Sequence, residues 1–202
     1  MNTIKLTTLA FILLVGSAYT NETDQYDDLR KQSNEAFTYG EQLKYRVHYG
    51  WINAASVDVN VAEKPVKVNG RSTYQVSAYG KTFRSFDWAF RVRDHFISYI
   101  DSQSVAPLKY WKKVEEDNYR DEDLVYYDHD KKKLKGKKKD MDMPAYLQDI
   151  VSSIFYARTI DFQNAATGQS FPINIYLDQE IYDLKFKYIG KETIKTDLGK
   201  IE

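Results

Sequence analysis

A mainly β fold is predicted, in which an antiparallel sheet is accompanied by one amphipathic helix. Three observations predict it. Apolar and polar residues alternate with period two through much of the chain, turn formers recur between those runs, and a single stretch over 144–158 switches to helical spacing. Period two sends successive side chains to opposite faces of a sheet, so one face can be buried while the other stays wet.

The elements follow in order. Leu43, Tyr45, Val47 and Tyr49 alternate with Lys44, Arg46 and His48, and Ala55, Val57, Val59 and Val61 alternate with Ser56, Asp58 and Asn60. The short connection over 50–53 predicts that these two strands pair antiparallel. Pro65 is expected to end the second strand. Asn69-Gly70, two residues that tolerate positive φ, leads as a hairpin turn into a third strand carrying Tyr74, Val76 and Ala78. Phe83, Phe86 and Phe90 then fall at helix-like spacings with Trp88 off the stripe, which fits a short helix or an irregular turn. Further strands are expected over 92–101, 108–115 and 119–128, then a lysine-rich hairpin arm over 131–139, with turns near Pro107, Asp117-Asn118 and Asp130.

The helix is expected at about 144–158. Pro144 suits a first turn. Leu147, Ile150, Val151, Ile154 and Phe155 form its apolar stripe, and Gln148, Asp149, Ser152 and Ser153 are assigned to the wet side. Burying five such side chains is worth roughly 7–15 kcal/mol before ordering entropy is subtracted. Strand patterning resumes with Phe171, Ile173, Ile175 and Leu177, then Tyr182, Leu184, Phe186 and Tyr188. The last residues, Lys200-Ile201-Glu202, read as the start of a strand whose partner is missing, so the domain is expected to be incomplete at its C-terminus.

The N-terminus carries an address. Residues 1–18 combine a single basic Lys5, the apolar run from Leu9 to Val15, and small residues at Gly16 and Ala18. That pattern is a signal peptide cleaved after Ala18, and its apolar run is far short of the roughly 20 residues a bilayer span needs. A periplasmic or secreted protein with no membrane span after cleavage is expected. Residues 19–35 are polar and read as a flexible linker, which leaves 36–202 as a single β-rich domain. The chain has 29 basic and 29 acidic residues, a balance that argues against a nucleic-acid partner. It contains no cysteine, which excludes disulfides, thiolate metal sites and a cysteine nucleophile.

Three segments, AFTYGEQLKYRVHYGWINAASVDV at 36–59, FDWAFRVRDHFISYID at 86–101 and MPAYLQDIVSSIFYARTIDF at 143–162, together resemble an exported bacterial family known as domain of unknown function 3108. The resemblance implies a mostly antiparallel exported protein, with an incompletely closed barrel similar to that of periplasmic lipoprotein carriers. It also implies further strands beyond the position of Glu202. It transfers no catalytic residue.

The chemistry legible in the sequence is sparse. The three histidines, His48, His95 and His129, form no metal-binding helix pattern. Asp128-His129-Asp130 reads as a solvated turn beside Lys131, and Asp94-His95, flanked by Arg91 and Arg93, as a surface or cross-strand ion pair. No Gly-x-Ser-x-Gly elbow is present. Asp121, Glu122 and Asp123 read as a solvated acidic face. Seven lysines between 131 and 139 are read as protection of a sheet edge. Aromatic residues are the remaining clue: with 17 Tyr, 10 Phe and 3 Trp, the residues Trp51, Phe86, Trp88 and Tyr126 are expected to line an apolar ligand site. The function expected is a non-enzymatic envelope protein that needs no metal or cofactor. It would hold an apolar or amphipathic ligand, such as a lipid, between sheet and helix; the alternatives are a structural or protein-interaction module and, third, a hydrolase.

Overall fold

A computed structural model describes residues 29–49, 51–196 and 199–201; the expected signal peptide and the first part of the linker lie outside the described residues. The strands are β1 (Gln42–Tyr49), β2 (Ile52–Val61), β3 (Val66–Val68), β4 (Arg71–Thr82), β5 (Arg93–Asp101), β6 (Pro107–Glu116), β7 (Tyr119–Asp128), β8 (Lys133–Gly136) and β9 (Asp140–Asp142). They build one antiparallel sheet in the order β1-β2-β4-β5-β6-β7-β8-β9, with β3 paired to the end of β4. The sheet stays open, as expected. After it come α1 (Ile150–Arg158), the hairpin β10 (Ser170–Leu177) with β11 (Glu180–Lys187), and the small hairpin β12 (Ile194–Thr196) with β13 (Gly199–Ile201).

Register assigns every strand residue to a face. Tyr45 opposes Val57, which opposes Gly80; Val59 opposes Ala78, which opposes Phe96; Ser98 opposes Tyr110, which opposes Val125. These residues share the inner face, and α1 packs on it. The core has two parts there. Val61, Val76 and Ile100 meet Val151 and Phe155 of α1, and Tyr110, Val125, Tyr127 and Leu134 meet Leu147 and Tyr176, with Phe96 touching both groups.

Several local expectations are corrected. β3, between Pro65 and the Asn69-Gly70 turn, escaped the pattern because three residues give too little alternation to read. Of the short helix or irregular turn expected after Gly80, residues 84–89 form the turn. The helix begins at Ile150, because Asp149 takes an extended φ of −97° and ψ of 177° and caps it, so Pro144 lies outside. Gln148, Asp149, Ser152 and Ser153 are buried, not wet, while Ile150 and Ile154 are exposed. Asp149 and Ser152 are buried because they cap the helix N-terminus against the sheet, whereas the Ser153 hydroxyl donates to the Ile150 carbonyl and the Gln148 amide to the Tyr146 carbonyl. The strand at 199–201 does have a partner, since Ile201 pairs with Ile194. The described end of the linker is docked: the guanidinium of Arg30 lies 4.1 Å from the ring centroid of Tyr146 and 4.7 Å from that of Tyr156, and the Gln32 N–H donates to the Gln103 carbonyl at 2.8 Å.

Candidate functional site

The inner face is covered unevenly, and the uncovered part is the candidate site. From β5 to β7 the apolar row is covered, whereas towards β1 the same alternating pattern runs on without cover among the described residues: Tyr45 is 49% and Val47 46% exposed. Between this bare margin and α1 lies an open groove of about 350 Å³, within the roughly 300–1,000 Å³ of small-molecule sites. Leu43 and Tyr45 of β1, Val57 and Val59 of β2 and Ala78 of β4 form its floor. Val151, Ile154 and Phe155 of α1 form its wall. Every lining side chain is apolar or aromatic. Ile154 points outward at the mouth, 55% exposed, one turn on from Val151 and next to Phe155, both of which are buried.

The wall is clamped at both ends. At its N-terminus the Asp149 carboxylate accepts the N–H groups of Val151 at 2.9 Å and Ser152 at 2.8 Å and the Ser98 hydroxyl at 2.6 Å, while the Ser152 hydroxyl accepts the Asp149 N–H at 2.8 Å. This reciprocal cap ties α1 to β5. Complete burial pushes the Asp149 carboxyl up to about 6, against the hydrogen bonds from Ser98, Ser152 and Val151 that favour the ionised form. At the other end Arg158 donates to both carboxylate oxygens of Glu41 at 2.7 Å and to the Ala36 carbonyl at 2.7 Å. Its guanidinium also lies 5.1 Å from the Phe155 ring centroid and 5.5 Å from that of Phe37. Two charge-assisted anchors therefore hold a short helix that would be marginal alone.

A family model described as protein of unknown function (DUF3108) matches residues 44–202. The chain belongs to the DUF3108 family. No curated protein and no solved structure matches it. The DUF3108 match takes in all of the groove lining except Leu43.

In this DUF3108 chain none of the four aromatic residues singled out from sequence lines the groove. Trp51 stands in the β1–β2 turn, 92% exposed, and Trp88 stands in the 84–89 turns, 85% exposed, with its indole N–H on the Ser85 carbonyl at 2.8 Å. Phe86 is half-buried in that same segment, and Tyr126 lies on the outer face of β7. The groove residues are legible in sequence as sheet and helix positions but not as a site, because alternation reports which face a residue occupies and not whether anything covers it. The other candidates resolve as structure. His129 is buried rather than solvated, its Nε2 2.8 Å from the Pro107 carbonyl, with burial holding its pKa below the usual value. Asp94 and His95 are not an ion pair: Asp94 accepts the Glu115 N–H at 3.0 Å, and His95 Nε2 lies 2.8 Å from the Ser77 hydroxyl. Among the described residues no cluster of three or more His, Asp or Glu is placed to hold a metal.

Proposed function

We propose that this protein is a non-enzymatic binding protein of the cell envelope that holds an apolar or amphipathic ligand in the groove between the β1 margin of the sheet and α1. The observation that carries the reading is the groove itself: about 350 Å³ of apolar space, open to solvent, beside a helix fixed at both termini. Leaving Tyr45, Val47 and Ile154 in water forfeits about 25 cal/mol for every Å² of apolar surface, and an apolar guest recovers part of it. The displaced titratable groups support a non-catalytic reading, since Asp149 is consumed in capping α1 and Asp101 in binding Arg71 and Ser104. The short apolar run of residues 9–15 and the small residues after it support export to the envelope.

Ile154→Glu places a charge at the mouth of the groove without touching the buried side of α1. The full chain is expected to enhance the fluorescence of an apolar naphthylamine probe, and Ile154→Glu to weaken that binding by roughly tenfold or more, equivalent to about 1.4 kcal/mol. Trp88→Asp is expected to bind as the parent does. Equal binding by Ile154→Glu, with unchanged circular dichroism, would remove the groove from the account.

A further inference from the structure

We propose that the outer face of the sheet binds an acidic polysaccharide through the cross-strand row Tyr99, Lys109, Tyr126 and Lys135. The row is set by register: Tyr99 opposes Lys109, Lys109 opposes Tyr126, and Tyr126 opposes Lys135, on the four successive strands β5 to β8. Directly opposed residues share a face, and this face is the one turned away from α1 and the core. With strands about 4.8 Å apart, the row runs for about 15 Å and places like groups about 10 Å apart.

Two features distinguish it from an ordinary wet face. The Lys109 ammonium sits between two aromatic rings, 5.1 Å from the Tyr99 centroid and 5.5 Å from that of Tyr126. Charge matching along the arm is also incomplete. Lys131, Lys133, Lys137 and Lys138 of the lysine-rich arm pair with Asp128, Asp142, Glu122 and Asp121. Among the described residues Lys109 and Lys135 form no ion pair; Lys135 lowers the pKa of Asp128 from a distance without contacting it. Lys132 and Lys139 of the arm form none either, so what sets Lys109 and Lys135 apart is their place between and beside tyrosines in one row.

Tyrosine rings offer flat apolar surface to the C–H face of a sugar and a hydroxyl for its polar rim, while ammonium groups between them take carboxylates. Alternation of the two with a repeat of about 10 Å suits a chain of sugars that carries an acid at intervals. Nucleic acid fits less well. Its affinity comes from neutralising many phosphates, and a chain of zero formal net charge with two unmatched ammonium groups in the strip offers few.

The test is affinity electrophoresis of the full chain through gels containing polygalacturonate, with dextran and poly(dT) gels in parallel. Polygalacturonate is expected to retard the protein and dextran to do so far less. Tyr126→Ala and Lys135→Gln, both at exposed positions, are expected to lower the affinity five- to tenfold each with unchanged thermal melting, and Ile154→Glu is expected to leave it unaltered. The proposal is overturned if polygalacturonate does not retard the protein, if both substitutions leave retardation intact, or if poly(dT) binds as tightly as the polysaccharide.

Discussion

Asp149 is the residue on which the helical wall turns, and its ionisation leaves a thermodynamic trace. Its pKa rises from an ordinary 3.8 to about 6 in the folded state, so the folded protein holds this proton more tightly than the unfolded chain. Its contribution is therefore most favourable below about pH 4 and is lost as pH rises through 6, a swing on the order of 2–3 kcal/mol. Asp149→Asn keeps a capping side chain and removes the charge. Thermal melts are expected to show the Asp149→Asn variant more stable than the parent at pH 8 and with a flatter pH dependence between 4 and 6; equal slopes would contradict the assignment. Buried hydroxyls supply a second contrast. The Tyr176 hydroxyl donates to Asp123 at 2.8 Å, whereas those of Tyr110 and Tyr127 have no partner among the described residues. Denaturant unfolding is expected to show Tyr176→Phe losing about 1–3 kcal/mol, and Tyr110→Phe neutral or stabilised. None of this could be read from the chain, because a serine or aspartate at a helix start looks the same whether it faces water or a sheet.

At the scale of elements, the strands were legible and the docking of the helix and hairpins was not. Alternation located β1, β2, β4 to β7, β10 and β11 within a few residues, and Asn69-Gly70 formed its turn with φ of 48° and 80°. The β10–β11 turn, Asp178-Gln179, adopts φ of 50° and 68° without a glycine to announce it. What pins that hairpin is Lys112, an apparently ordinary strand lysine that is buried on the inner face and ion-paired with Asp121 at 3.0 Å and with Asp178. Burial acts to lower its pKa, and the two carboxylates outweigh burial and leave it raised. Lys112→Gln should loosen the hairpin selectively. Hydrogen exchange is expected to quicken by roughly tenfold over 170–187 while β4 and β5 keep their protection; uniform acceleration across the sheet would show instead that Lys112 supports the whole core.

For the whole molecule the governing feature is the uneven cover of one sheet face. The fold class was legible because period two and turn spacing are strong local signals, and the resemblance to DUF3108 rested on segments that the family match spans from residue 44 onward. The groove was not legible from Trp51, Phe86, Trp88 and Tyr126, since a large aromatic side chain marks a place where apolar surface is available and says nothing of where a cavity closes. The groove lies between α1, only nine residues long, and the β1 margin. The central claim is that this margin carries a guest. Its most direct test is mass spectrometry of organic extracts from the full chain purified natively out of its own host, beside Ile154→Glu prepared in the same way. The account predicts a lipid or similar apolar molecule near one per protein chain in the parent and its loss from the variant; a folded parent that yields no such molecule would contradict it.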